Sequence, residues 1–180
     1  LAEYDALFSR ETTNVNHHTF RFAQKAKALG LVVIDDPESI LRCTNKVYLA
    51  ELLKRHSIPT PKTYIIHGKN LDDMIERLPV PCVLKRPDSS FSQGVIKAES
   101  VGEIREKVLH MLEDSDLIIA QEFMPTSFDW RIGIMDNKAL YACKYYMARD
   151  HWQIYNRKEG DLGSGESETF PIEDLSLIHI

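Results

Sequence analysis

The segment that most restricts the fold of this chain is a short apolar run that continues into a lysine and a polar loop, CVLKRPDSSFSQGV at 82–95. The run 82–84 has the composition of a buried strand, and Lys85 extends it. Lys85 fits two interpretations: an edge residue whose ammonium reaches water, or a positive charge held beside phosphates. The loop 88–94 favours the second, because it offers hydroxyls and backbone N–H groups, and Gly94 lets the backbone approach a ligand.

Patterns typical of strands and helices alternate along the chain and predict an α/β (α+β) fold. One helix carries apolar residues at 22, 26 and 29 and ends at Gly30, and another begins after Thr44 and Asn45, either of which can cap it. Further helices are predicted at 71–77 and 102–113, and strands at 5–9, 31–34, 63–66, 82–86, 94–98, 117–123, 129–136 and 138–147. The last two strands flank MDNK, which predicts a hairpin turn. The polar, Gly-rich stretch 157–170 is predicted to be a mobile loop.

The composition is that of a soluble globular protein and narrows the range of partners. The 180 residues carry a formal net charge of −5 with a pI near 5.8, which argues against a nucleic-acid binder or a membrane-surface binder. No apolar run approaches the roughly 18 residues of a membrane span. The three cysteines, Cys43, Cys82 and Cys143, form no CxxC pair, which is typical of a reducing cytoplasm and gives no zinc or disulfide framework.

Several motifs that would indicate other functions are missing from the sequence. It has no GxxxxGK[ST] phosphate loop, no GxGxxG after a predicted strand and no HExxH. His17 and His18 are adjacent, so on a helix their side chains would point to different faces. We therefore interpret them as solvated residues at a helix start and expect no shared metal ligation.

Two further segments offer polar groups at the ends of predicted strands. Gln121, Glu122 and Phe123 end the strand that begins LIIA, where backbone groups can read the edge of an adenine while an aromatic ring packs on its face. The alternative is a strand that simply ends in a charge and a core aromatic. Asp129 and Arg131 are two positions apart on a predicted strand, so their side chains share a face. Asp129 could fix the guanidinium of Arg131 for phosphate or carboxylate binding, or the two could form a surface ion pair.

The stretch after these strands adds more donors of hydrogen bonds. Lys144 and Arg149 precede the run HWQIYN at 151–156, which combines polar and aromatic side chains. The alternative for this run is an amphipathic strand whose Trp152 and Tyr155 lie in the core.

Taken together and in order, these segments resemble the ATP-grasp superfamily, in particular its RimK-like glutamate ligases and glutathione-synthase-type relatives. The matching pieces are DPESILRCTNK, LAELLKRHSIPTP, PCVLKRPDSSFSQGV, IIAQEFMPTSFDWRIGI and ACKYYMARDHWQIYN, and they cover roughly 36–156. The resemblance implies an ATP-grasp fold preceded by the end of another α/β domain.

The resemblance also implies a role for each candidate residue. Lys46 and Lys85 are expected to contact the phosphates of ATP, and Lys85 and Arg131 to be catalytic. The loop over the triphosphate is formed by Ser89, Ser90, Phe91, Ser92, Gln93 and Gly94, and the adenine hinge by Gln121, Glu122 and Phe123. Asp129 is expected to contact the nucleotide, and Gln153, Tyr155 and Asn156 to contact the nucleotide or the acceptor.

The implied activity is an ATP-dependent carboxylate–amine ligase that works through an acyl phosphate, with a non-catalytic ATP-binding sensor or scaffold as the alternative. The expected substrates are a small-molecule or peptide carboxylate and an amino acid or amine, the expected compartment is the cytoplasm, and association into homo-oligomers fits the fold. ATP and Mg²⁺ are the expected cofactors. The family's Mg²⁺ ligands, an Asp and a later Glu–x–Asn element, find no match here, so we expect the chain to be inactive alone.

The expected domain organisation follows from the same resemblance. Residues 1–40 are expected to end an α/β domain that precedes the ATP-grasp domain, which occupies 41–174 and is incomplete at its C-terminus. The last six residues, LSLIHI at 175–180, can be read as a translated transposon-derived sequencing adapter. We therefore expect this tail not to be native.

Overall fold

The computed structural model describes residues 1–89, 94–158 and 161–172. They divide into two compact units, with the boundary between Phe123 and Met124. The predicted tail at 175–180 lies outside the described residues. Among the residues described, no helix is long and apolar enough to cross a membrane.

The first unit begins with a small strand–helix–strand motif. Strands β1 (Ala6–Phe8) and β2 (Val32–Ile34) pair in parallel, and helix α1 (His18–Ala28) connects them. Gly30 lies at a φ of 81°, a conformation that favours glycine, where the chain leaves α1 for β2. Ala23 and Ala26 of α1 are fully buried, since small side chains allow close packing.

Two short helices follow, and each has an N-cap that its sequence dictates. Helix α2 (Pro37–Thr44) starts with proline, and the carboxylate of Asp36 accepts hydrogen bonds from the backbone N–H groups of Glu38 and Ser39. Helix α3 (Lys46–Arg55) is capped in the same way by Asn45. The two helices fill the stretch where the sequence suggested a domain boundary, which stays a prediction.

The rest of the first unit is a four-stranded antiparallel sheet covered by helices on one face. The strand order is β3-β6-β4-β5, with β3 at Thr63–Ile66, β4 at Cys82–Lys85, β5 at Val95–Ala98 and β6 at Ile118–Glu122. Helices α4 (Leu71–Ile75) and α5 (Val101–Met111) pack on it. Leu84, Ile104, Val108 and Ile118 have no exposed surface, and burying side chains of this size contributes roughly 1.5–3 kcal/mol each.

The second unit is built on an antiparallel hairpin. Strands β7 (Phe128–Met135) and β8 (Lys138–Tyr146) are joined at Asp136 and Asn137, which both have positive φ, as the favoured two-residue hairpin turn requires. The predicted hairpin is therefore confirmed. Strand β11 (Ser167–Phe170) pairs with the other edge of β8, while β9 (Tyr155–Lys158) and β10 (Asp161–Ser164) form a separate ladder.

Two predictions from the sequence are wrong. The described residues of the stretch 157–170 are largely strand, because they pair with β8 and with one another, and edge strands need no apolar pattern when one face meets water. The side chains of His17 and His18 do not diverge, because His17 is the extended N-cap of α1 and lies outside the helical turn. Their ring centroids are only 4.0 Å apart.

The Asp36 cap generates a stability prediction. Hydrogen bonds from Ser39 and Glu38 lower the pKa of Asp36 from 3.8 to about 2. Since the folded-state pKa is depressed, the cap stabilises the fold above the unfolded-state value and loses this effect as the pH falls from about 4 towards 2. We expect Asp36→Ala to lower the free energy of unfolding by about 1 kcal/mol at neutral pH, and by less in acid.

Urea denaturation at several pH values measures this difference. Asp36→Ser should retain most of the stability, because serine also caps helices, and Asp116→Ala at an exposed loop position serves as the control. A loss of stability in Asp36→Ala that is the same at pH 2 and pH 7 would contradict the cap.

Candidate nucleotide-binding site

Lys85 ends β4 with its side chain half-buried on the sheet face opposite the apolar core. Its ammonium donates a hydrogen bond to the Oε1 atom of Gln121 on β6, with an N–O distance of 2.6 Å. Burial lowers the pKa of Lys85, and the positive charge of Lys46 lowers it further. A lysine in such a place is poised to receive a negatively charged group.

Lys46 reaches the same region from the first turn of α3. Its backbone N–H donates to the carbonyl of Pro87 at 2.9 Å, and its ammonium donates to the carbonyl of Ser89. Burial lowers the pKa of Lys46, and the negative charge of Asp88 partly opposes this effect. Two lysines from separate elements thus lie close enough for their charges to interact, and their contact with phosphates stays a prediction.

The loop that follows β4 is tied to the start of α3. The Nδ2 atom of Asn45 donates to Oδ1 of Asp88 at 2.9 Å, so one residue caps α3 and holds the loop. The N–H of Arg86 donates to the carbonyl of Gly94 at 3.2 Å, which brings the two ends of the loop together. Gly94 has a φ of 64°, and a Cβ atom there would lie 3.3 Å from Cδ of Arg86. Of the remaining predicted loop residues, Ser89 is described, and Ser90, Phe91, Ser92 and Gln93 lie outside the described residues.

The side chain of Gln121, which accepts the hydrogen bond from Lys85, is itself held by Thr63, and we call these hydrogen bonds the relay. The Nε2 atom of Gln121 donates to the hydroxyl of Thr63 at 2.9 Å, and this hydroxyl donates to the carbonyl of Pro61 at 2.8 Å. The relay fixes the amide of Gln121 so that its oxygen faces Lys85. Gln121 therefore acts on the ammonium in this structure, whereas the sequence suggested contact with adenine.

The predicted adenine hinge lies where β6 ends. The backbone N–H of Glu122 donates to the carbonyl of Lys62 at 2.9 Å, and that of Phe123 donates to the carbonyl of Pro81 at 3.3 Å. The ammonium of Lys97 on β5 lies 4.2 Å from the centroid of the Phe123 ring. This cation–π contact orients the ring of Phe123 directly after β6, the strand that pairs with β4.

Asp129 and Arg131 lie on β7 in the second unit and share a face, as predicted. Both are exposed, while Phe128, Trp130 and Ile132 alternate with them and are half-buried. The guanidinium of Arg131 lies over the ring of Tyr145 at 4.4 Å, and Asp129 accepts a hydrogen bond from Thr126 at 3.4 Å. In the part of the chain that the structure describes, no ion pair joins Asp129 to Arg131.

Lys144 lies on the opposite face of this hairpin. Its ammonium is 4.6 Å from the ring of Phe128, 5.1 Å from that of Trp130 and 4.9 Å from that of Phe170. Lys144 therefore does not share the face of Arg131, because it pairs with Trp130 and neighbouring positions along a strand alternate between faces.

The last predicted contacts also belong to the second unit. The backbone carbonyl of Gln153 accepts a hydrogen bond from the N–H of Ala148 at 2.9 Å, and its side chain contacts His151 at 3.3 Å. Tyr155 and Asn156 begin β9 and pair with Ser164 and Gly163. All three residues are half-buried, and their contact with a ligand stays a prediction.

Comparison with known proteins decides the family. A profile described as the RimK-like ATP-grasp domain matches residues 43–151, which is more than half of the chain. The chain belongs to the RimK-like ATP-grasp family. Because the match contains α3, the four-stranded sheet and the β7–β8 hairpin, the predicted membership is confirmed on the elements that carry Lys46, Lys85 and Arg131.

Relatives of this RimK-like chain are named as ligases. The alpha-aminoadipate–LysW ligase LysX of Saccharolobus solfataricus is 32% identical over 148 residues, covering 78% of this chain and 53% of that protein. A probable alpha-L-glutamate ligase of Vibrio vulnificus is 26% identical over 148 residues, covering 80% and 49%. The chain thus spans about half the length of these relatives.

Solved structures confirm the predicted ATP-grasp fold. The RimK domain protein of Sphaerobacter thermophilus superposes with a TM-score of 0.66 at 18% identity, covering 78% of this chain and 55% of that one. A D-alanine–D-alanine ligase of Bacillus anthracis gives 0.68 at 15% identity, covering 95% and 57%. Both TM-scores indicate a shared fold.

Sequence analysis missed two residues at the RimK-like site, Thr63 and Lys97. Neither residue lies in a recognisable motif. Thr63 acts by accepting a hydrogen bond from Gln121, and Lys97 acts by contacting the ring of Phe123. The alternation of β3 could have placed Thr63 on the face opposite Ile66, but only the pairing of β3 with β6 sets it against Gln121.

The relay generates a prediction for ATP binding. In Gln121→Leu the Lys85 ammonium loses an acceptor, which weakens ATP binding by roughly tenfold and lowers the pKa of Lys85 further. Since the charged form binds phosphate, ATP affinity falls as the pH rises through the lowered pKa. We expect this fall to begin at a lower pH in Gln121→Leu, and Thr63→Val to show a smaller shift in the same direction.

Titration calorimetry with ATP at a series of alkaline pH values checks this prediction. Gln24→Leu on the exposed side of α1 is the matched control, and it should bind ATP like the unmodified protein at every pH. If Gln121→Leu weakens binding by the same factor at all pH values, the relay does not act through the charge of Lys85.

Proposed function

We propose that the full-length protein is an ATP-dependent carboxylate–amine ligase. The observation that carries this proposal is the convergence of Lys46 and Lys85, each with a lowered pKa, beside a loop held to the start of α3. Two ammonium groups brought together at a partly buried site repel each other, and a bound polyphosphate would relieve that repulsion. The N-terminus of α3 adds a positive dipole end at the same place.

The reaction that this family membership suggests begins with a carboxylate, which is a poor electrophile. Transfer of the γ-phosphoryl group of ATP to the carboxylate oxygen gives an acyl phosphate and ADP. An amine then attacks the acyl carbon, inorganic phosphate leaves with the bonding electrons, and a proton is lost from nitrogen to give the amide. The protein contributes mainly position and charge stabilisation, because phosphoryl transfer needs little covalent help.

Each site residue has a part in this proposal that follows from its contacts. Lys85, oriented by Gln121, and Lys46 hold the phosphates beside Asp88, which Asn45 ties to the start of α3. Exclusion of water from this place would protect the acyl phosphate. Arg131 supplies charge stabilisation from the exposed face of β7, where Tyr145 stacks on it. Glu122 and Phe123 at the end of β6 hold the adenine in this proposal, with the Phe123 ring packed on it, while Gln121 orients Lys85.

Mg²⁺ would neutralise the charge that develops on the phosphates during transfer, and it prefers oxygen ligands. In the described ranges no group of three carboxylates converges, and the single cluster of three His, Cys, Asp or Glu ligand atoms lies elsewhere, at Glu11, His17 and His18. We therefore assign no residue of this chain to Mg²⁺.

The names of the relatives narrow the substrates worth testing. One relative is named for α-aminoadipate and another for glutamate, which are both dicarboxylic amino acids. We propose a dicarboxylic amino acid as one substrate of the full-length protein, acting in the cytoplasm. D-alanine, which appears in the names of weaker matches, is the natural comparison compound.

The test measures ADP release from ATP by the full-length protein with L-glutamate, L-α-aminoadipate and D-alanine, with hydroxylamine present to trap an acyl phosphate as a hydroxamate. We expect hydroxamate formation that depends on a dicarboxylic amino acid. Lys85→Met and Lys46→Met should each reduce it at least a hundredfold, because a phosphate contact is lost. Lys138→Met, at an exposed position of the β7–β8 hairpin, is the control and should stay active.

Two other outcomes separate the alternatives. ATP binding without hydroxamate or amide formation would favour the sensor or scaffold. Equal activity in Lys85→Met and Lys138→Met would overturn the assignment of Lys85 to the phosphates.

A further inference from the structure

A second cluster of chemically active side chains lies in the first unit, away from Lys46 and Lys85 in the sequence. Glu11, His17 and His18 place one ligand atom each within 4.8 Å of one another. Glu11 belongs to the segment that leaves the carboxyl end of β1, and the two histidines begin α1. We propose that these three residues form a binding site for Zn²⁺.

The distances within the cluster fit a tetrahedral ion. Oε1 of Glu11 is 3.6 Å from Nε2 of His17, and Oε2 is 2.9 Å from Nε2 of His18. With metal–ligand bonds of about 2.0–2.1 Å, the ligand atoms of a tetrahedral Zn²⁺ lie roughly 3.3 Å apart. The carboxylate of Glu11 thus faces both imidazoles, one through each oxygen, at separations close to those of a tetrahedral site.

The ring of His17 is oriented by contacts outside the three proposed ligands. Its Nδ1 atom accepts the backbone N–H of Thr19 at 3.5 Å, which makes His17 the cap of α1, and it lies 3.0 Å from the hydroxyl of Thr19. That hydroxyl is also hydrogen-bonded to the carbonyl of Thr12 at 3.3 Å. These contacts hold the ring with Nε2 on the side of Glu11, and outer contacts of this kind orient metal-bound histidines.

Nε2 of His17 lies 3.6 Å from Oε1 of Glu11, which is beyond hydrogen-bond distance. A cation between the two atoms would bind both, with any proton on Nε2 of His17 moving to Nδ1 beside the Thr19 hydroxyl. The hydrogen bond between His18 and Glu11 would be replaced at the same time, with the His18 proton moving to Nδ1.

The ligand types select the metal. Two imidazoles and one carboxylate suit Zn²⁺ better than Mg²⁺ or Ca²⁺, which prefer oxygen alone. Three protein ligands leave the fourth position of the ion for water or for a ligand atom. Glu11 and His18 are exposed and His17 is half-buried, so the ion can enter from solvent. The bound ion would link the segment after β1 to the start of α1.

Competition for Zn²⁺ with a chromophoric chelator tests the site in the full-length protein, with excess Mg²⁺ to occupy oxygen-ligand sites. We expect His18→Ala and Glu11→Gln to remove one equivalent of Zn²⁺ binding or weaken it at least tenfold. His17→Asn should do the same while retaining a helix cap. Thr19→Val, which removes only the supporting hydroxyl, should weaken binding roughly tenfold.

His110→Ala is the matched control, because His110 also lies beside a glutamate, at 3.2 Å from Glu113, but at an exposed helix end with no second histidine in its pair. Unchanged Zn²⁺ binding in His18→Ala and Glu11→Gln would overturn the proposal. So would a Co²⁺ spectrum with thiolate character that Cys43→Ser abolishes. ATP binding, measured in parallel, shows that each variant is folded and keeps this test separate from that of the ligase.

Discussion

The pairing of β6 with β3 on one side and β4 on the other is the constraint on which the candidate site depends. Its register sets Thr63 opposite Gln121, and Gln121 next to Val83, two residues before Lys85. All these side chains then share the sheet face opposite the core. A slip of one residue in β6 would bury Gln121 and expose Ala120, so the apolar residues of the core hold the polar relay in place.

Burial of the apolar face of this sheet offsets the free-energy cost of holding the ammonium groups of Lys46 and Lys85 near each other. Leu84, Ala120 and Ile118 pack with α5 and fix the ends of β4 and β6. Lys85 is thereby held half-buried and near Lys46, although the two charges repel each other. Such a site is organised for a polyanion before the ligand arrives, because the fold maintains the repulsion that phosphate would relieve. The loop contributes by its ties to Asn45 and Lys46 at the start of α3.

Local signals predicted much of this arrangement. Asn45 as a cap, the turn at Asp136 and Asn137, and the shared face of Asp129 and Arg131 depend on residues close in sequence, and the structure has all three. Predictions that depended on residues far apart in sequence were less accurate. Asp161–Ser164 and Ser167–Phe170 form strands because they pair with β9 and β8. Lys144 lies on the face opposite Arg131 because it pairs with Trp130.

The sequence by itself determined the family and most of the strands and helices up to β8, because motifs and periodicity are local properties of the chain. Tertiary structure alone decided which side chains support them. Thr63 accepts a hydrogen bond from Gln121, and the ammonium of Lys97 contacts the ring of Phe123, because strand pairing joins residues far apart in sequence. The same holds for Glu11, which meets His17 and His18 only because the segment after β1 turns back onto the start of α1.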